Sequence, residues 1–296
     1  MMEMQIVLDR VTMKYGPFKA VDDLSFKLDE GKIYGLIGRN GAGKTTLLSL
    51  LASFLEPSTG SITVKGEALF ENPDLMQNVT FVYEKDYQEE TEKVKTYLKA
   101  VEAYKPFYDA EYAMDLIEAF RIPLNKPVNK LSKGMLSALN VTIGLASRSP
   151  VTLFDEAYSG MDAPTREIFY QKVLEDHALH PRTIVLSTHL LSEMDYLFEE
   201  VVILHKGKLL LKEPIDVLLE KGASITGSAE NTDLFVQDMT KLHTQKLGGT
   251  KSVTVLETLS DQQRLQARQS GLEIGPVSLQ DLFTHLTKEG DQNEKN

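Results

Sequence analysis

The eight residues GRNGAGKT, Gly38 to Thr45, decide how this chain folds. They fit the pattern G-x-x-x-x-G-K-[ST], with the apolar segment KIYGLI before them and the segment TTLLSLLA overlapping their end. Glycines at this spacing allow successive backbone N–H groups to point toward one anion, and a helix that starts at Lys44 adds its positive end. The order of strand, turn and helix therefore predicts a phosphate-binding loop in an α/β fold.

The chemistry of the loop predicts its contacts with a nucleotide. Lys44 would place its charge on the β and γ phosphates, and the Thr45 hydroxyl could ligate Mg²⁺. The alternative is a glycine-rich turn with an exposed lysine, which the flanking strand and helix make improbable. The residues predicted to contact the nucleotide here are Gly38, Arg39, Asn40, Gly41, Ala42, Gly43, Lys44, Thr45 and Thr46.

Polar residues follow two further apolar strands. In VTLFDE, Asp155 and Glu156 stand at the C-terminal end of the strand, where open parallel sheets bind ligands. Asp155 is placed to hold Mg²⁺, and Glu156 is the best candidate to orient or deprotonate an attacking water. His189 follows TIVLST and should lie at the same sheet edge, although a lone histidine is more often structural. Lys44, Glu156 and His189 are therefore the predicted catalytic residues.

Two other segments admit two interpretations each. In LSKGM, Leu131 to Met135, Ser132 is a good N-cap for a helix with apolar residues that continues to about Ser147. The free N–H groups of that helix start could form a second anion site, or the segment could be an ordinary capped helix. Tyr15 could stack on an adenine ring, or it could be a core or turn tyrosine.

Composition narrows the class of protein. The chain has 296 residues, 42% of them hydrophobic, enough for a buried core. Its net charge of -11 argues against nucleic acid as the main partner, and the lack of cysteine fits a cytosolic protein. The N-terminus does not resemble a signal peptide, and the longest apolar stretch, Thr46 to Leu55, is shorter than the ~20 residues of a spanning helix. Any membrane role should therefore go through a partner.

Sequence periodicity predicts two domains. Short segments that are β-branched or alternate apolar with polar residues dominate residues 5–64, and apolar residues at helical spacing dominate about 86–147. Both segments belong to a predicted first domain, residues 1–220. The composition then becomes more polar, which predicts a small α/β accessory domain at 221–286 and a disordered tail at 287–296.

Taken in order, GRNGAGKT, LSKGM, VTLFDE, SGMD and STH resemble the motifs of the ATP-binding cassette (ABC) ATPases of ABC transporters. The resemblance covers about Ile6 to Pro214. It implies a P-loop NTPase core, in which a RecA-like mixed sheet is joined by an N-terminal antiparallel β subdomain and an α-helical subdomain. It also implies hydrolysis of ATP with Mg²⁺. Tyr15 would then be the adenine-stacking residue, His189 the switch histidine and Ser159 to Asp162 the D-loop.

The resemblance implies partners as well. Such cassettes work as head-to-tail dimers, either homodimers or heterodimers, in which the signature loop, here with Ser132 and Gly134, contacts the nucleotide of the other subunit. Hydrolysis drives a transmembrane permease, which docks in a groove beside the Glu84 segment. We therefore expect no nucleic-acid partner and a cytoplasmic location at the inner face of the cell membrane. The alternative is a soluble ABC ATPase without a transport role.

Some features depart from the usual family pattern. The signature usually reads L-S-G-G-Q, and here Lys133 replaces the first glycine and Met135 the glutamine. Glu84, in FVYEKD, stands where the family usually has a glutamine, which makes it the third predicted metal ligand beside Thr45 and Asp155. The C-terminal extension from about Lys221 resembles those of bacterial exporter-type cassettes. The LSKGM variant together with FDEAYSGMDAPTR resembles the Gram-positive drug or peptide exporter branch.

Overall fold

A computed structural model describes residues 4–293 of the chain. These residues divide into two units. The first contains the described residues up to His189 together with Leu197–Lys212, and the second contains Leu190–Tyr196 with the described residues from Glu213 onward. The structural division thus falls before the boundary predicted at residue 220, because the helix that ends at Glu220 packs on the strand that follows it.

The first part of the first unit consists mostly of strands, and its later part contains strands that alternate with helices. In chain order its elements are β1 (Ile6–Tyr15), β2 (Phe18–Leu28), β3 (Ile33–Ile37), α1 (Lys44–Leu51), β4 (Thr59–Val64), β5 (Glu67–Ala68), α2 (Pro73–Met76), β6 (Val79–Val82), α3 (Val94–Tyr104), α4 (Ala110–Ala119), α5 (Lys133–Ala146), β7 (Val151–Asp155), α6 (Ala163–Leu179), β8 (Thr183–Thr188), β9 (Glu200–His205) and β10 (Lys208–Pro214).

Two sheets form this unit. The antiparallel sheet has the order β2-β1-β4-β5, and one turn of it pairs Tyr15 with Phe18. The larger sheet has the order β10-β9-β3-β8-β7-β6, and its pairs from β9 to β6 are parallel. Every residue of β3 and β8 is buried, as expected for central parallel strands covered on both faces.

The register of the larger sheet aligns the ends of its central strands. Ile37 pairs with Thr188, and Asp155 pairs with Ser187. The residues that follow β3, β7 and β8 therefore meet at one edge, which is the edge where open α/β sheets bind ligands. This alignment brings the phosphate loop, Glu156 and His189 into the same neighbourhood.

The helices between β6 and β7 lie where helical spacing predicted them, although α3 begins only at Val94. Helix α5 packs on α4 and also on strands β6 and β7. Its closest approach is at Gly144, where an added Cβ would lie 2.5 Å from Val82 and 2.8 Å from the ring of Phe154. Only a glycine allows this helix to lie so near the sheet.

The second unit is a small α/β structure. Its elements are α7 (Leu191–Met194), α8 (Ile215–Glu220), β11 (Gly222–Ser228), α9 (Ala229–Phe235), β12 (Lys241–Leu247), β13 (Thr250–Leu256), α10 (Asp261–Gln269), β14 (Glu273–Gly275) and α11 (Leu279–Asn293). The antiparallel sheet β12-β13-β11-β14 covers an apolar core built around Ile225, Val253 and Val255, which are fully buried.

The end of the chain differs from the prediction. Helix α11 continues through Asn293, so it overlaps the predicted disordered tail at 287–296. The segment KEGDQNEKN is polar and contains Gly290, which a helix tolerates at a cost of about 1 kcal/mol, and it has no proline to stop the helix. Residues 294–296 lie outside the described part of the chain.

Candidate nucleotide-binding and hydrolysis site

The phosphate loop joins β3 to α1 through backbone conformations that require glycine. Gly41 and Gly43 have φ values of +79° and +101°, and a Cβ on Gly43 would lie 2.4 Å from the carbonyl oxygen of Ala20. Lys44 is 5% exposed, and its Nζ donates hydrogen bonds to the carbonyls of Gly38 and Arg39 at 2.8 and 3.4 Å. The loop thus encloses the one ammonium group that the sequence assigned to phosphate.

Asp155 is held by hydroxyl groups on both sides. Thr45 Oγ1 donates to Asp155 Oδ2 at 2.7 Å, and Ser187 Oγ donates to Asp155 Oδ1 at 2.6 Å. A threonine hydroxyl beside a carboxylate offers two hard oxygen donors at one point, which suits Mg²⁺. Among the described residues no group of three or more His, Cys, Asp or Glu side chains forms a metal cage. The donor set therefore fits an ion held mainly by phosphates and water.

Glu156 lies at the centre of the predicted catalytic residues. Its Oε1 is 3.6 Å from Lys44 Nζ and 3.3 Å from His189 Nδ1. Its backbone has a φ of +45°, and its N–H donates to Ser187 Oγ at 3.0 Å. The structure thus brings Lys44, Glu156 and His189 together, although they come from three different strand ends.

Tyr158, which the sequence analysis did not single out, positions His189. Its hydroxyl lies 3.1 Å from His189 Nδ1 and accepts hydrogen bonds from the His189 N–H and from Thr188 Oγ1, both at 3.2 Å. Burial raises the pKa of Tyr158, and the hydrogen bonds from Thr188 and His189 offset this only in part. The phenol therefore stays protonated at neutral pH. Nothing in the sequence distinguishes this tyrosine except its place two residues after Glu156.

A cavity of about 520 Å³ is lined by the phosphate loop, Asp155 and Glu156, whereas Tyr158 and His189 lie outside its lining. Tyr15 and Phe18 stand at its wall and are 49% and 60% exposed. Phe18 was missed from the sequence, but it pairs with Tyr15 across the β1–β2 turn, and both residues line the cavity. The predicted site residues that line the cavity are Tyr15, Asn40, Gly41, Gly43, Lys44, Thr45, Thr46, Glu84, Asp155 and Glu156.

Comparison with known proteins identifies this arrangement. The protein-family model described as ABC transporter matches residues 21–159. The bacitracin transport ATP-binding protein BcrA of Bacillus licheniformis is 31% identical over 220 residues, which cover 71% of this chain and 70% of the relative. The chain belongs to the ABC transporter family. It is an ATP-hydrolysing, nucleotide-binding subunit, as the motifs predicted.

A second relative and a solved structure are also similar to this ABC ATPase. The Nod factor export ATP-binding protein I of Neorhizobium galegae is 27% identical over 99% of this chain and 87% of its own length. A solved structure of an ATP-binding subunit of an ABC transporter has a TM-score of 0.65 and 25% identity, and it covers 72% of this chain and 91% of that one. The predicted fold class, an ABC ATPase core with mixed sheet, is confirmed.

The signature loop of the ABC ATPase lies outside the cavity lining. Ser132 caps α5, since its Oγ accepts a hydrogen bond from the N–H of Met135 at 3.3 Å. A Cβ on Gly134 would lie 2.6 Å from the carbonyl oxygen of Gly160, so a glycine is needed for this contact. The predicted roles of Ser132 and Gly134 in binding a nucleotide stay predictions, because neither residue lines the cavity of its own subunit.

The structure adds a contact to Glu84, whose predicted role as a metal ligand stays a prediction. Its carboxylate lines the cavity, but its Oε1 contacts Lys133 Nζ at 2.9 Å, while Thr45 and Asp155 contact each other. The sequence did not predict this ion pair between Glu84 and Lys133. In the part of the ATPase that the structure describes, no helix has the length and apolar character needed to cross a membrane.

Proposed function

We propose that this chain is the ATPase subunit of an ABC exporter and that its cavity binds ATP with Mg²⁺. The observation that carries the proposal is the convergence of Lys44, Glu156 and His189 beside the phosphate loop, with Glu156 Oε1 at 3.6 and 3.3 Å from the two basic groups. Hydrolysis of a phosphoanhydride needs a cation at the phosphates and an acceptor for the proton of water. The export named for the Nod factor relative and the transport named for the bacitracin relative support the assignment to exporters.

Each residue then has a role that its contacts allow. Phosphate oxygens replace the loop carbonyls as partners of Lys44 Nζ, and they accept hydrogen bonds from the N–H groups at the start of α1. Glu156 orients the attacking water and accepts its proton. His189, fixed by Tyr158, donates a hydrogen bond to a phosphate oxygen. Thr45 and Asp155 would hold Mg²⁺, which would neutralise charge at the phosphates.

The catalytic proposal is tested by Glu156→Gln. We expect ATP hydrolysis to fall by about 10²- to 10⁴-fold, as for the loss of a positioned proton acceptor. Binding of a fluorescent ATP analogue should persist, because the amide keeps the shape of the side chain. Glu175→Gln, an exposed change on α6, is the matched control and should hydrolyse ATP normally. Unchanged turnover in Glu156→Gln would remove this residue from the catalytic role.

The same variant tests the predicted dimer, in which Ser132 and Gly134 contact the nucleotide of a second subunit. Glu156→Gln should accumulate as a dimer on addition of ATP, and size-exclusion chromatography measures this directly. Adding Ser132→Arg should block the dimer while the monomer still binds ATP, because the large side chain replaces a helix cap at the contact. A normal ATP-dependent dimer in the double variant would exclude this role for the signature loop.

A groove of about 180 Å³ beside the Glu84 segment suits a permease partner. Tyr97 and Tyr104 of α3 line it, whereas Tyr87 is buried with its hydroxyl bonded to Asn140. The residues that line it also include Thr80, Phe81, Val82, Tyr83, Lys85, Val101, Lys105, Asn140 and Ile143.

Two lysines give this groove its charge. Burial lowers the pKa of Lys85 and Lys105, and neither ammonium contacts a carboxylate among the described residues. Lys105 Nζ donates a hydrogen bond to Thr80 Oγ1 at 2.9 Å. This hydroxyl is uncharged, so it does not compensate the charge of the ammonium group. We therefore propose that a permease segment with apolar side chains and at least one carboxylate docks here, which would place the ATPase at the cytoplasmic face of the cell membrane.

Copurification from detergent-solubilised membranes tests this docking. A multi-span membrane protein should copurify with the tagged chain, and Lys85→Glu should reduce its recovery because it reverses the charge of the groove. Lys99→Glu makes the same change at an exposed position of α3 outside the groove lining and should have no effect. If only soluble proteins copurify with the unmodified chain, the chain acts as a soluble ABC ATPase and the transporter role is wrong.

A further inference from the structure

The first turn of α5 contacts two other segments of the first unit through one side chain. Lys133 Nζ lies 2.9 Å from Glu84 Oε1, in the segment after β6. The stem of the same lysine covers Gly160, in the segment after β7, since a Cβ built on Gly160 would lie 2.7 Å from Lys133 Cγ. Ser137 supports this contact, because its Oγ donates to the carbonyl of Ser159 at 2.5 Å. Lys133 therefore joins three chain segments.

The acid of this ion pair belongs to the nucleotide cavity. Glu84 lines the cavity together with Ser159, Thr45 and Asp155. The side chains of Glu84 and Lys133 are 70% and 58% exposed, so water screens their attraction and the pair is weak enough to open. A divalent ion that enters the cavity with phosphates competes for the same carboxylate, because carboxylate oxygens are ligands that Mg²⁺ prefers.

We propose that Lys133 is a positioning residue that holds the Glu84 carboxylate at the rim of the cavity until Mg²⁺ takes this carboxylate over. The inference rests on the proposed ATP site. Both departures from the family motifs then have one physical reason, since the lysine compensates the charge that the glutamate introduces. The exchange also releases the first turn of α5 from the segment after β6, while its contact with Gly160 persists.

The test measures how nucleotide binding depends on Mg²⁺, without using turnover. A fluorescent ATP analogue is titrated with Mg²⁺ in the Glu156→Gln background, and bound Mn²⁺ is followed separately by electron paramagnetic resonance. Lys133→Met should lower the Mg²⁺ concentration at half-saturation about two- to five-fold, the range that the loss of one exposed ion pair supplies. Lys133→Arg keeps the pair and should behave like the parent.

A double-mutant cycle separates this exchange from a general effect of charge. Glu84→Gln should bind Mg²⁺ more weakly, and Lys133→Met should have no further effect in that background, since the two residues act through one contact. Lys130→Met removes an exposed positive charge three residues earlier and should leave the Mg²⁺ dependence unchanged.

The outcomes distinguish this inference from the proposed function. The positioning role of Lys133 is wrong if Lys133→Met leaves the Mg²⁺ dependence unchanged, or if it shifts it equally with and without Glu84. Failure of the parent chain to bind the ATP analogue at any Mg²⁺ concentration would instead overturn the proposed nucleotide site.

Discussion

Ser187 orients both acids of the site with one hydroxyl group. Its Oγ donates to Asp155 Oδ1 at 2.6 Å and accepts the N–H of Glu156 at 3.0 Å. The second contact supports Glu156 in a backbone conformation, φ +45°, that residues other than glycine rarely adopt. Strain of this kind persists only where surrounding contacts hold it, and functional sites are where it is concentrated. The serine is therefore a positioning residue for the acid proposed to accept the proton.

At the residue scale, Ser187→Ala should reduce kcat of ATP hydrolysis roughly tenfold, which corresponds to about 1.4 kcal/mol and to the loss of one hydrogen bond. The affinity for ATP should change little, because Ser187 does not line the cavity. Steady-state phosphate release at saturating ATP measures the effect. Ser61→Ala, at an exposed position of β4, is the control. A change in ATP affinity with an unchanged kcat would contradict the positioning role.

Three elements meet at a buried charge cluster away from the cavity. Asp176 on α6 forms ion pairs with Arg148, which follows α5, and with Arg182, which precedes β8. Its side chain is fully buried, and burial also lowers the pKa of Arg182 to about 10. Buried charges of this kind stabilise a fold only while they remain paired. The cluster therefore fixes α6 against the end of α5 and the start of β8.

At the element scale, Asp176→Asn should destabilise the protein by about 3–5 kcal/mol, because it leaves two arginine side chains with reduced compensation in the interior. Glu175→Gln, one residue earlier and exposed, should change the free energy of unfolding by less than about 0.5 kcal/mol. Urea unfolding followed by circular dichroism measures both variants. Equal stability of the two variants would mean that the cluster does not hold these elements together.

At the scale of the whole molecule, the residues proposed to bind and hydrolyse ATP all belong to the first unit. The chain nevertheless leaves that unit immediately after His189, since Leu190–Tyr196 belongs to the second. Within the second unit, α7 packs on α11, and its residues Leu191 and Met194 are buried. The C-terminal residues therefore cover a short helix that is separated from the first unit's segments by only a few positions in sequence.

Deletion of residues 221–296 should consequently preserve ATP binding but lower stability. Exposing Leu191 and Met194 costs roughly 3 to 6 kcal/mol, which corresponds to a thermal midpoint lower by about 6 to 24 °C. Differential scanning calorimetry and titration with a fluorescent ATP analogue measure the two effects. A chain lacking only residues 288–296 is the control and should retain the parent midpoint. Loss of ATP binding after the longer deletion would show that the site depends on the second unit.

The local sequence determined the phosphate loop, the two acids at the end of β7 and the cap of α5. Each depends on residues that are neighbours in the chain. Gly41 and Gly43 allow the turn around an anion, and an apolar strand that ends in Asp155 and Glu156 delivers both to a sheet edge. Short-range chemistry of this kind needs no knowledge of the rest of the fold, so these features could be predicted before the structure.

Only the tertiary structure decided which side chains meet at that edge. Ser187 reaches Asp155 because β7 and β8 lie in parallel register. Lys133 reaches Glu84 because α5 packs on β6, the strand that precedes Glu84. The contacts of Tyr158 with His189 depend in the same way on the ends of two strands. Contacts between residues distant in sequence are set by register and packing, which no local pattern specifies. The sequence therefore identified the side chains that carry the chemistry, and the fold determined which of them contact each other.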